Sequence, residues 1–195
     1  MKIFYFDLET TGLDPKKNGI HQLAVIIEVD GKVMKKFNVN IQPFKTDEIS
    51  NDALRIGNVS KDLIFSDAYM KPDQAYKKLI ATLDIYTNKF MKSDKFFLCG
   101  YNSQSFDSQF MRSFFEKNND KFFGSYFWNA NLDVMILASQ FLAQHRHKMT
   151  DFKLATVARF CNIEFQDSEL HQADFDLDLT YQIYKIISEK TPTLD

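Results

Sequence analysis

No run of apolar residues in this chain approaches the roughly 20 needed to cross a bilayer. The N-terminal run Ile3-Phe4-Tyr5-Phe6 is cut off by Asp7 and Glu9, which leaves nothing resembling a signal peptide. The expectation is a soluble, intracellular, cytoplasmic protein with no membrane association. Only two cysteines are present, Cys99 in FFLCGY and Cys161 in RFCNIEF, and neither belongs to a disulfide or metal spacing pattern. Both read as small core residues. There is no internal repeat, low-complexity segment or linker-like stretch, so residues 1–195 are expected to form a single domain. An excess of basic residues is missing too: the formal charge is −2, which excludes blanket phosphate neutralisation as a way of working. If four of the 26 carboxylates held cations, however, the remaining balance would be 24 − 22 = +2.

What the chain does have is aromatic side chains, 20 Phe and 8 Tyr spread along its length, which suits one well-filled core. Residues 2–8 are β-rich, and Gly12 with Asp14-Pro15 closes the run in a turn. HQLAVIIEVD and VMKKFNVNIQPF around Asp30-Gly31 read as a hairpin. A short helix is expected over 50–60 and another begins at Pro72, a residue favoured at the first helical position. The run KFFLCGYN is a buried strand. Apolar residues three and four apart predict helices over 107–118, 134–143, 152–161 and 175–188. A hairpin followed by alternating strand and helix is the pattern of an α/β domain with a mixed sheet.

The acidic residues carry the chemistry. Asp7 and Glu9 are two apart on a strand and point to one face near its C-terminal end, where they could share a metal; alone, the pair equally suits a solvated strand end. Asp107 opens a helix whose stripe is Phe110, Met111 and Phe114, so its carboxylate points toward the core, or simply complements the helix dipole. Asp176 shares the inward stripe of Leu179, Thr180, Ile183 and Ile187, while Asp174 and Asp178 lie about 200° around the helix and read as solvated. A lone buried carboxylate is costly unless a cation or hydrogen bonds compensate it. His171, five positions earlier, falls outside that face and is placed on the approaching loop, as a general base or an ordinary surface histidine. His145, Arg146, His147 and Lys148 lack a further ligand for a metal site and read as a solvated interhelical loop.

Taken together, these segments resemble the DEDDh (DnaQ-like) family of 3′→5′ exonucleases, the class that includes the proofreading subunit of a bacterial DNA polymerase and ribonuclease T. FDLETTGL matches the first motif, CGYNSQSFDSQFM the second, and HQADFDLD the third, in the family's order. Asn131-Leu132-Asp133 and LATVARFCNIEF also resemble family segments. There are two departures: Tyr101 stands where the second motif often has His, and Val134 where Thr usually follows Asp133. The resemblance implies a ribonuclease-H-like fold with a mixed five-stranded sheet flanked by helices.

It further implies metal ligands at Asp7, Glu9, Asp107 and Asp176, with His171 as general base. Two divalent cations, Mg²⁺ or Mn²⁺, are the implied cofactors, suited to oxygen-only ligands. The implied reaction is hydrolysis of the terminal phosphodiester of a single strand, releasing nucleoside 5′-monophosphates. The Thr10-Thr11-Gly12-Leu13 turn is expected to grip the terminal nucleotide, with Thr10 and Leu13 as its binding residues and Leu13 against the base, and Phe106 to stack on a base, although core packing of Phe106 is an equal alternative. Single-stranded DNA 3′ ends are the favoured partner, and the resemblance places the cluster of His145, Arg146, His147 and Lys148 near the incoming strand, where phosphate contacts are the alternative to a merely solvated loop. RNA trimming, a non-catalytic strand-end or polymerase-binding module, and a polymerase partner stay open, with a free-standing enzyme preferred.

Overall fold

The computed structural model describes residues 1–190. The sheet is built from β1 (Lys2–Thr10), β2 (Ile20–Val29), β3 (Lys32–Asn40), β4 (Phe97–Gly100) and β5 (Leu132–Asp133), in the order β3-β2-β1-β4-β5. β1 pairs antiparallel with β2 and parallel with β4, and β5 is parallel to β4. The expected mixed five-stranded sheet is therefore found. The hairpin turn is also found at Asp30-Gly31, whose φ values of 49° and 78° place both residues in the left-handed region that favours glycine and Asp or Asn. β5 escapes a reading by periodicity because two residues carry no alternation.

β1 is buried on both faces, which explains its nearly continuous apolar run. Phe4, Phe6 and Leu8 point into one core layer with Leu79, Leu83, Phe110 and Phe115. These come from α3 (Pro72–Tyr86) and α4 (Asp107–Lys117). Ile3 and Tyr5 point into the other, with Ala138, Val157, Leu177 and Ile183. Those side chains belong to α6 (Val134–Phe141), α7 (Leu154–Phe160) and α8 (Ala173–Lys190). The alternation of β1 therefore assigns Asp7 and Glu9 to the face covered by α8.

The helix expected over 50–60 is two helices, α1 (Asn51–Ile56) and α2 (Lys61–Ile64), each capped by a serine side chain, Ser50 and Ser60. Gly57 and Asn58, the latter at φ 50°, break the run between them. A short α5 (Phe123–Tyr126) was hidden in an aromatic segment. The helix expected over 152–161 starts only at Leu154, because the Asp151 carboxylate accepts the Lys153 amide (3.0 Å) and the Thr156 hydroxyl (2.6 Å) in a local turn. Among the described residues, no helix is long and apolar enough to cross a membrane.

Candidate active site

Asp7 and Glu9 stand at the C-terminal end of β1, on one face. The N-terminus of α8 is docked over them by a long-range contact: the buried Ala173 donates its amide to the Gln22 side chain on β2 at 3.3 Å. That contact lowers the first turn of α8 onto the sheet and aims Asp176 at β1. Carboxylate oxygens of Asp7, Glu9 and Asp176 all come within 4.8 Å of one another.

Asp107 approaches from the other side of the loop that follows β4. It is buried, and the nearby backbone amides of Asp107 itself and of Leu8 partly offset the upward push of burial on its carboxyl, which places the start of α4 beside β1. Its charge reaches Asp7 and Glu9, but it stands outside the tight group of three. Three of the four expected ligands are thus gathered closely, with the fourth beside them.

Crowding four acids at one strand end has an electrostatic consequence. Burial, reinforced by the charges of Asp107, Glu9 and Asp176, raises Asp7 well above the usual carboxylate range. Glu9 is pushed up to about 8 by burial and by Asp176 and Asp107. Asp107 is pushed up to about 7, mainly by burial. Burial also raises Asp176, against the opposing influence of the His171 amide and charge. Asp176 Oδ2 accepts the His171 amide at 3.2 Å, while Oδ1 is buried without a hydrogen-bond partner. An orphaned buried oxygen among mutually repelling carboxylates is a donor set that a divalent cation would complete. Oxygen-only ligands suit a hard ion.

His171 lies on the loop before α8, as expected, and is exposed, with φ at 66°. The left-handed backbone at this position turns its amide toward Asp176, a holding role that the sequence did not reveal.

Beside the carboxylates is a cavity of about 540 Å³, lined by Glu9, Thr10, Leu13, Ala53, Ile56 and Phe106 among others. All three residues expected to bind substrate line it. Leu13 is 83% exposed at its mouth, while Phe106 is half-buried, its ring centroid 5.0 Å from that of Phe110. Phe106 therefore both packs on the core and lines the cavity. The Thr10 hydroxyl is occupied, donating to the Gly12 carbonyl at 2.8 Å.

Further residues shape the site, and two of them, Thr11 and Gly12, belong to the turn already expected to grip the terminal nucleotide. Thr11 is fully buried and donates its hydroxyl to the Glu48 carbonyl at 2.8 Å, tying the turn after β1 to the opposite cavity wall. Gly12 is a close-approach glycine: a Cβ there would meet the Asn18 side chain at 2.4 Å. Asp133 is buried at the end of β5 and accepts three amides, those of Asn102 (3.1 Å), Gln104 (3.1 Å) and Met135 (3.0 Å). It thereby shapes the loop leading to Asp107. The resemblance marks its segment, Asn131-Leu132-Asp133, but not the role of this carboxylate.

Residues 4–184 match the sequence model of the RNase_T family, described as exonuclease. The chain belongs to this exonuclease family. No curated protein sequence matches it. Among solved structures, Escherichia coli exonuclease I in complex with a dT13 oligonucleotide is similar, with 18% identity and a TM-score of 0.74 over 97% of this chain and 41% of that one. The zinc-bound complex of the E. coli enzyme with single-stranded DNA gives 17% identity and a TM-score of 0.78, over 98% and 41%. Exonuclease I of Methylocaldum szegediense gives 16% and 0.75, over 98% and 41%. The chain thus spans about two fifths of the length of these structures, and at this identity the likeness is one of fold.

Proposed function

We propose that the protein is a metal-dependent 3′→5′ exonuclease acting on single strands, with DNA preferred. The observation that carries this reading is the group of Asp7, Glu9 and Asp176, whose oxygens lie within 4.8 Å of one another beside a cavity of nucleotide size. Family membership supports the chemistry, and the oligonucleotide complexes of exonuclease I support single-stranded DNA.

Asp7, Glu9, Asp107 and Asp176 would hold two divalent cations, with Mg²⁺ or Mn²⁺ favoured by the all-oxygen donor set. When bound, such ions neutralise developing phosphate charge and make water a better nucleophile. His171 accepts the proton of the attacking water from its place on the exposed loop, and its amide keeps Asp176 oriented. The cavity receives the last nucleotide, with Leu13 against its base. The phosphorus–oxygen bond to the penultimate 3′-oxygen breaks, water supplies the new oxygen, and a nucleoside 5′-monophosphate leaves. We place this activity in the cytoplasm.

Digestion of matched DNA and RNA strands labelled at either end tests the reading. Stepwise loss of nucleotides from the 3′ end, dependent on added Mg²⁺ or Mn²⁺ and abolished in Asp7→Asn, is expected. Internal cuts in a closed circular strand, digestion from the 5′ end, or undiminished hydrolysis in excess chelator would overturn it. Faster loss of the RNA strand would reverse the substrate preference and leave the mechanism intact.

A further inference from the structure

Thr180 lies one helical turn beyond Asp176 and carries a hydroxyl that the fold leaves unused. It is 1% exposed, and at ~100° per residue it stands at the middle of the inward face of α8: Ala173, Leu177, Ile183, Tyr184 and Ile187, all buried, fall within about 60° on either side of it. A threonine in a helix can give its hydroxyl to the carbonyl four residues back. The buried Thr82 of α3 does so, donating to the Lys78 carbonyl at 2.9 Å, and the Ser139 hydroxyl of α6 likewise reaches the Met135 carbonyl at 2.7 Å. Thr180 departs from this habit. Among the described residues its hydroxyl has no hydrogen-bond partner, and neither has Asp176 Oδ1.

The unpaired donor and the unpaired acceptor belong to one turn of one helix face. Asp176 and Thr180 are ~40° apart around α8, with Cβ atoms about 5–6 Å from each other. Helical side chains lean toward the N-terminus, so Thr180 leans toward Asp176, and at that separation side-chain rotation alone brings the two groups together. α8 runs antiparallel to β1. Its first turn is tied to Gln22, which pairs with Glu9, while Tyr181 and Lys185 reach Glu28, which pairs with Ile3. Four helical residues advance ~6 Å, close to the ~6.6 Å between alternate residues of a strand. Thr180 therefore sits directly below the acidic group, between the levels of Asp7 and Tyr5. A valine would fill the same space without the cost of burying an unpaired hydroxyl. What the hydroxyl adds is a donor aimed at a ligand.

We propose that Thr180 is a positioning residue of the metal centre, whose hydroxyl donates to Asp176 Oδ1 in the cation-loaded site and holds that carboxylate in its ligating orientation. The inference rests on the metal-dependent reading of Asp7, Glu9 and Asp176. Asp176 Oδ2 already accepts the His171 amide at 3.2 Å. With Thr180 on Oδ1 the carboxylate is pinned at both oxygens, and each oxygen keeps a lone pair for a cation held against β1. A hydrogen bond to an ionised carboxylate is charge-assisted and therefore worth more than an ordinary one. Ligating carboxylates are oriented by outer hydrogen bonds of this kind, and losing such a partner weakens metal binding about 10–100-fold.

Thr180→Val keeps the shape and removes the hydroxyl, whereas Thr180→Ser keeps the hydroxyl and removes a methyl group. Titration calorimetry with Mn²⁺ alone, in the absence of nucleic acid, measures the site directly. Thr180→Val is expected to bind Mn²⁺ about 10–100-fold more weakly than wild type, and Thr180→Ser within about threefold of it. In chelator, Thr180→Val should melt at or above the wild-type temperature, because the unpaired hydroxyl is gone. The Mn²⁺ concentration that gives half-maximal hydrolysis of a labelled oligothymidylate should rise by the same factor as the dissociation constant. Wild-type Mn²⁺ affinity in Thr180→Val would overturn the proposal. So would equal losses in the two variants, or a Thr180→Val protein that melts below wild type in chelator, since both outcomes assign Thr180 to packing. If wild type binds Mn²⁺ and Thr180→Val weakens that binding, yet no strand is hydrolysed, the nuclease reading fails and the assignment of Thr180 survives. A wild-type protein that binds no Mn²⁺ overturns both.

Discussion

Glu9→Gln in metal-stripped protein is the most informative perturbation of the acidic site, because it separates repulsion from structure. In the folded protein the Glu9 carboxyl holds its proton up to about 8, against an ordinary 4.5. The folded state therefore binds this proton when the unfolded chain has released it, and stability falls as pH rises from about 4.5 to about 8. Each tenfold change in proton affinity is worth about 1.4 kcal/mol, which sets a ceiling of about 5 kcal/mol for this one group. Water entering the open site, and protonation of Asp7 or Asp176 in place of Glu9, absorb part of that, leaving about 1–3 kcal/mol. Gln keeps the shape and cannot ionise. In chelator at pH 8 the variant should melt about 3–10 °C above wild type, using the ~2–4 °C per kcal/mol of a chain this size. Near pH 4 the two should coincide. Saturating Mg²⁺ or Mn²⁺ at about 100 times its Kd should stabilise wild type by about 2.7 kcal/mol, and the variant far less. Differential scanning calorimetry at the two pH values decides the matter. A variant less stable than wild type at pH 8 would show that Glu9 supports the fold, and one equally stabilised at both pH values would show that repulsion of an ionised Glu9 is not the cause.

His171→Asn keeps the backbone amide that holds Asp176 and is tolerated at positive φ; single-turnover rates should drop about 10²–10⁴-fold while strand affinity in chelator stays unchanged, and turnover within tenfold of wild type would remove His171 from the chemistry. Asp133→Ala leaves three amides without their acceptor and should cost about 2–4 kcal/mol in urea denaturation, with activity falling in parallel as Asp107 loses its frame. Lys117→Met strips the ion pair from Asp47, which lies 2.6 Å away with a side chain only 2% exposed, and should destabilise by about 3–5 kcal/mol; a neutral effect in the same assay would mean that water reaches Asp47.

Much of the site was legible because short-range periodicity encodes it. The two-residue spacing of Asp7 and Glu9 placed both on one face of β1, and the 3.6-residue stripe of α8 turned Asp176 inward with them, as the structure finds. The Asp30-Gly31 hairpin followed from the tolerance of those two residues for positive φ. Residue patterns could not say how closely the ligands would gather, and Asp107 proved to stand just outside the group of three.

What the sequence determined by itself was therefore direction: which side chains share a face, where a helix starts, which acids point inward. What only the tertiary structure decided was registration between distant segments, where no period or propensity reports the answer. Gln22 docks the amide of Ala173 across 151 positions, Asp133 organises a loop some 30 residues earlier, and Tyr101 reaches Phe152. Each of these is a single hydrogen bond, or a small set of them, that becomes available only once hydrophobic burial has brought the elements together. The burial itself is non-directional and tolerant of detail. The gathering of the acidic side chains depends on such directional contacts as the first two, and they exist only in the folded chain.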